Sequence, residues 1–159
     1  MDEKQYRLAI IEELAKNEEK LSELYNSYGR ELPDYENFWT EMCLDEKEHA
    51  RWIETLKKKI EEGEVKFGKN RFNIDMVRDF FKNIQKLEIE VDKEELSLEK
   101  ALENSIAVEE VLLERKFFEV FKGDSMDLEI ILLALEKSTE NHLRKVKGLY
   151  DSEIVNKKK

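Results

Sequence analysis

Residues 35–60 read YENFWTEMCLDEKEHARWIETLKKKI. At helical spacing, Tyr35, Trp39, Met42, Glu46, His49, Ile53, Leu56 and Ile60 form one apolar seam, an alternation of threes and fours that predicts a helix buried along one face. Glu46 and His49 take positions in that seam where leucine is expected. Three other segments carry comparable seams. The first runs Ile11, Leu14, Glu18, Leu21, Tyr25, Tyr28, Leu32; the third runs Leu102, Ile106, Glu109, Leu113, Phe117, Val120, with Lys116 sharing the turn of Phe117. The fourth runs Leu128, Leu132, Leu135, Thr139, His142, Val146, Leu149. Both histidines of the chain therefore face inward, together with three glutamates. An ionised carboxylate is not buried in an apolar core without a partner, and for Glu and His converging between helices the usual partner is a metal ion.

Composition points the same way. At 159 residues the chain suits one domain spanning 1–159 with a substantial core. One proline, five glycines and 42% charged residues favour long helices over a turn-rich β fold. The net charge of -10 argues against a nucleic-acid partner, and Lys157, Lys158 and Lys159 read as a solvated tail. No apolar run approaches a membrane span, and the amino terminus, with Asp2 and Glu3, lacks a signal-peptide pattern, so the expectation is a cytoplasmic protein with no membrane partner. The single cysteine, Cys43, excludes a disulfide or a four-cysteine metal site within this sequence. It reads as a small buried hydrophobe, with a redox role beside Glu46 as the alternative.

The seams divide into two helical hairpins. Helix A is expected over about 2–29, with the stretch Gly29 to Pro33 ending it and Asp34 capping helix B, about 34–62. A connection over about 63–95 carries Gly68, Asn70 and a short amphipathic helix from Ile74 to Ile89, whose apolar face is Val77, Phe80, Phe81, Ile84 and Leu87. Helix C, about 97–121, stops before Gly123; helix D, about 125–150, is capped by Asp124 or Ser125. Two hairpins joined by one long crossover give an all-α fold with the connectivity of a ferritin-like four-helix bundle. If helix C runs parallel to B, then Glu18, Glu46, Glu109 and Thr139 each lie about 12 residues, or about 18 Å, from the same end of the bundle. Each hairpin then offers a glutamate from its first helix and a histidine from its second. The halves differ at one position, because Glu46 completes Glu-x-x-His with His49 whereas Thr139 stands three residues before His142. Glu136 and Glu140 point away from His142 by helical geometry and do not replace the missing acid.

On these residues the chain resembles the rubrerythrin branch of the ferritin-like di-iron proteins. Glu18 to Tyr25, then Phe38-Trp39 and Asp45-Glu46-Lys47-Glu48-His49-Ala50, is similar to the first metal-binding half of that family. Ser97-Leu98-Glu99-Lys100-Ala101-Leu102 through Glu109 to Phe117 looks like the opening of its second half. The resemblance implies a carboxylate-bridged pair of irons, with Glu18, Glu46 and His49 around one and Glu109 and His142 around the other. Glu46 and an acid at position 139 would bridge, and Thr139 removes one bridge. The implied activity is reduction of hydrogen peroxide to water, each ferrous ion giving one electron; a ferroxidase or iron-sequestering role uses the same site. The cysteine-ligated iron domain often attached in rubrerythrins is not in this sequence, which implies a separate electron-donor protein.

The ligand chemistry read from the residues alone suits one or two ions of iron, manganese or zinc, and lack of cysteine ligation argues against a structural zinc cage. Three ionised glutamates leave one positive charge of two divalent ions uncompensated. Without metal, burial and mutual repulsion are expected to keep protons on the acids. Glu110 competes with Glu109 for the inward position. Tyr25 and Phe117 flank the layer as packing, as a shield or as radical carriers, and Trp39 and Trp52 read as packing. The adjacent Phe80 and Phe81 either cover the bundle or supply a surface for the expected homodimer. The competing class of function is a non-catalytic helical interaction module that retains a partial metal site.

Overall fold

The computed structural model describes residues 2–63, 74–93, 95–114 and 126–158. Among these residues the chain is all-α. Helix α1 spans Glu3–Glu31, α2 Glu36–Glu61, α3 Ile74–Lys93, α4 Leu98–Glu114 and α5 Met126–Tyr150. No helix among them is long and apolar enough to cross a membrane. The ends of helices C and D near Gly123, their caps at Asp124 or Ser125, and Gly68, Asn70, Lys116, Phe117 and Val120 lie outside the described residues, as does the side chain of Leu128.

A capping box starts α1: the Asp2 side chain accepts from the Gln5 backbone at 2.8 Å, and the Gln5 side chain accepts from the Asp2 backbone at 3.0 Å. The helix does not stop at Gly29, as its sequence suggests, but continues to Glu31, where Pro33 prevents extension. Gly29 serves close packing instead of termination, since a Cβ there would sit 3.2 Å from the Trp39 Cβ. Asp34 does not cap α2. It lies within a 3-10 turn, Pro33–Tyr35, and the helix begins at Glu36 without a side-chain cap. Such a corner costs little because interhelical burial, rather than capping, supplies most helix stability.

The directions of the helices follow from their contacts. Tyr25 reaches Glu109 and Tyr28 reaches Asn104, so α4 descends as α1 ascends. Asp45 meets His142 and Ser138 meets His49, so α2 and α5 are also antiparallel. With the tight corner between α1 and α2, α4 therefore runs in the direction of α2. Joining them requires the chain to travel back along the helices, and α3 makes that return against α1. The Asn17 side chain donates to the Val77 carbonyl at 3.2 Å, and Lys20 pairs with Glu88 at 2.9 Å.

The crossover helix is longer than its apolar pattern suggests, because Val91 is buried and draws in a further turn. Phe80 is buried over the bundle, whereas Phe81 is half-buried with Lys20 Nζ 5.9 Å from its ring. The buried faces are also wider than single seams. In α4 the buried set is Ala101, Leu102, Ser105, Val108, Glu109 and Leu112, while Ile106, expected inside, is only half-buried. After α5 the chain makes a π turn, Asp151–Val155, which brings Glu153 within 3.0 Å of the Tyr35 hydroxyl and ties the end of α5 to the α1–α2 corner.

Candidate metal centre

Four helices bring one polar layer together inside this core. Glu46 and His49 sit one turn apart on α2 and are each about 1% exposed; Glu109 on α4 and His142 on α5 are fully buried, and Glu18 on α1 is 6% exposed. Two groups of three have ligand atoms within 4.8 Å of one another: Glu18, Glu46 and His49, and Glu46, Glu109 and His142. Glu46 belongs to both. Its Oε2 lies 3.1 Å from His49 Nδ1 and its Oε1 lies 2.9 Å from His142 Nδ1. Glu18 Oε2 approaches His49 Nδ1 at 3.6 Å, and Glu109 Oε1 approaches His142 Nδ1 at 3.4 Å. Glu109, not Glu110, is the inward residue, because Glu110 lies at the surface and pairs with Lys147 at 3.2 Å.

The outer ring nitrogens have other partners, which the seams did not reveal. His49 Nε2 is 2.6 Å from Ser138 Oγ, and His142 Nε2 is 2.9 Å from Asp45 Oδ2. The two rings lie 5.4 Å apart with 26° between their planes. An outward partner on Nε2 keeps that proton in place, so when the ring gives up its other proton it is Nδ1 that becomes the lone-pair nitrogen a metal ligand needs. In the sequence these partners are marked only by their position next to seam residues: Asp45 precedes Glu46, and Ser138 precedes Thr139.

Tyr25 is more than packing. Its hydroxyl donates to Glu109 Oε1 at 2.6 Å while its ring packs 5.7 Å from that of Trp39. Thr139 is buried in the layer, but its hydroxyl turns back to donate to the Leu135 carbonyl at 2.9 Å. Glu136 and Glu140 are exposed, so neither takes its place. Cys43 is a buried free thiol pushed upward in pKa by burial, a setting that suppresses thiolate chemistry. Trp52 packs beside His49, with its indole N–H on Glu48 at 3.0 Å.

Electrostatics separate the three acids. Burial pushes the Glu18 carboxyl well above the usual carboxylate range, and the neighbouring Glu46 adds to the push. Burial and then Glu46 likewise raise Glu109. Burial acts upward on Glu46 too, but attraction to His49, the hydrogen bond from His49 and the close approach of Glu18 and His142 outweigh it and hold Glu46 well below that range. The expectation of protonated acids therefore fails at Glu46, because two imidazoles flank it. Burial alone would lower the histidines; Glu46 and Glu18 instead raise His49 to about 10, and Glu109 and Glu46 raise His142 to about 11.

The donor set fits a metal on a separate geometric ground. Glu18 Oε2, Glu46 Oε1, Glu109 Oε2 and His142 Nδ1 are buried without a properly formed hydrogen bond, although Glu46 Oε1 and His142 Nδ1 are 2.9 Å apart. Buried polar atoms left without hydrogen bonds, on residues whose ligand atoms lie within 4.8 Å of one another in each group, are the donors a bound cation would satisfy. Both clusters could hold a metal ion. No protein-family model matches the chain, and no curated protein or solved structure matches it either.

Proposed function

We propose that the protein is a rubrerythrin-like, ferritin-type four-helix bundle that binds one or two irons and reacts with hydrogen peroxide or oxygen. The observation that carries this reading is Glu46, buried between two inward-facing histidine nitrogens and shared by two ligand triads. The parallel run of α2 and α4, with α3 as the return between them, supports the ferritin-type connectivity. Carboxylate and imidazole donors without thiolate suit iron, and manganese and zinc share that preference.

In this reading Glu46 spans both positions. Glu18 and His49 complete one, and Glu109 and His142 the other. Bound iron would supply the electrons for peroxide reduction and Lewis acidity toward its oxygens. The protein's own groups do the rest. Ser138 and Asp45 fix the imidazoles through Nε2, and the Tyr25 hydroxyl donates to Glu109 Oε1 and orients that carboxylate. Packing of Tyr25, Tyr28 and Trp39, all fully buried, excludes water from the α1 side. Electrons would come from a separate donor protein, and the bundle would act as a homodimer.

The test is peroxide consumption by protein loaded with ferrous iron under anaerobic conditions. Rapid loss of peroxide with oxidation of the bound iron is expected, and a rate no greater than that of the same iron free in buffer would overturn the reading. Thr139 favours a second reading, a non-catalytic interaction module with a partial site. An intact bundle that takes up no metal would establish it.

A further inference from the structure

We infer that Asp45, acting through His142, supplies the negative charge that Thr139 withholds, and is the positioning residue of the second metal position. This rests on the metal-centre reading above. Asp45 immediately precedes Glu46 on α2, so its side chain leaves the helix about 100° around from that of Glu46 and passes outside the ligand layer. It meets His142 from behind, with Oδ2 2.9 Å from Nε2. Nδ1 of the same ring faces Glu46 Oε1 at 2.9 Å and Glu109 Oε1 at 3.4 Å. A carboxylate behind an imidazole fixes the Nε2–H tautomer, orients the ring and makes Nδ1 a stronger donor.

The other histidine is backed differently. His49 Nε2 meets a neutral hydroxyl, Ser138 Oγ, at 2.6 Å. The inequality matches the gap in the ligand set: the half without an acid at 139 is the half whose histidine has a charged partner. Glu18, Glu46, Glu109 and Asp45 together carry four negative charges when ionised, equal and opposite to two divalent ions. An acid at 139 would have given the same balance. Asp45 keeps a side-chain exposure of 43%, so it contributes little to the core and can be changed without opening a cavity.

The test is cobalt(II) titration of the full chain, read by the visible spectrum of the bound ion and by competition with a chelator. Asp45→Asn is expected to weaken one binding step roughly 10- to 100-fold and to leave the other within about twofold. In a His142→Ala background Asp45→Asn is expected to change nothing further, and Ser138→Ala is expected to be silent only in a His49→Ala background. Thr139→Glu combined with Asp45→Asn is expected to restore the weakened step, because it returns the charge directly to the layer. An Asp45→Asn protein that binds like its parent, or a loss that persists undiminished without His142, would overturn the inference. So would failure of Thr139→Glu to restore binding. Unfolding of Asp45→Asn would assign the residue to the fold and overturn it as well. A parent protein that takes up no cobalt would instead remove the metal-centre reading on which the inference stands.

Discussion

Glu46 Oε1 on α2 and His142 Nδ1 on α5 lie 2.9 Å apart, both fully enclosed, in a pairing that joins the two hairpins of the chain. The other oxygen of Glu46 faces His49 at 3.1 Å, so a single carboxylate holds two imidazoles in one layer. In the metal-free protein this is an ion-pair arrangement, because Glu46 is held ionised and both histidines are held protonated.

Glu46→Ala should therefore destabilise the metal-free protein. Removing one of several clustered acids would relieve repulsion if all of them competed for charge, but Glu46 is the one that the imidazoles stabilise. Its loss leaves buried charge unpaired, which costs roughly 3–5 kcal/mol. Urea unfolding in the presence of a chelator measures the change; equal midpoints in mutant and parent would contradict the pairing.

Stability of the metal-free protein should fall as pH rises above neutrality. An imidazole with a folded pKa above its unfolded value of about 6.5 contributes stability that is fully present below that pH. The contribution is lost as pH rises through the folded values, about 10 for His49 and about 11 for His142. Metal affinity should move in the opposite direction, increasing up to about tenfold per pH unit for each proton displaced. Melting curves across that range with chelator, and metal titrations at matched pH values, check both signs. A metal-free melting temperature that is flat or rising from neutral pH upward would contradict them.

Tyr25→Phe removes the donor to Glu109 Oε1 and keeps the ring beside Trp39. A loss of about 1 kcal/mol in folding stability is expected, with the second of two metal-binding steps weakened and the first little changed. Chemical denaturation and a stepwise metal titration separate the two effects. Unchanged second-step binding would show that Glu109 needs no help from Tyr25.

Thr139→Glu restores Glu-x-x-His on α5 at a buried position. In the metal-free protein it should be destabilising by a few kcal/mol, since another acid joins a buried cluster whose Glu18 and Glu109 are already raised by burial. With metal the added carboxylate can act as a ligand, and the loss should shrink or reverse as metal concentration increases. Melting temperature plotted against metal concentration tests this. A penalty independent of metal would mean that the side chain at 139 does not reach the layer.

Much of this arrangement was legible in residue spacing. The seams of α1, α2 and α5 place Glu18, Glu46, His49 and His142 inside because one turn of helix repeats every three to four residues, whatever the side chain. Glu109 could not be separated from Glu110 that way, since their neighbours suit either register; the contacts of Glu109 with Tyr25 and His142, and of Glu110 with Lys147, decide it. Ser138 and Asp45 were invisible as imidazole partners because they occupy positions beside the seam. Their role depends on the angle at which α5 presents its rings to α2. The corner departs from its sequence signals for a related reason: Gly29 looks like a stop signal, but close approach of Trp39 makes it a packing residue within α1. The pKa of Glu46 also depends on which neighbours are nearest in space, and sequence order does not give that.

The most direct measurement is iron bound per chain after identical anaerobic loading and desalting of the parent and Glu46→Ala proteins, with circular dichroism to establish that both are folded. One or two tightly held irons in the parent and none in Glu46→Ala are expected if Glu46 is shared between two ligand sets. Equal iron content in the two folded proteins would contradict that claim.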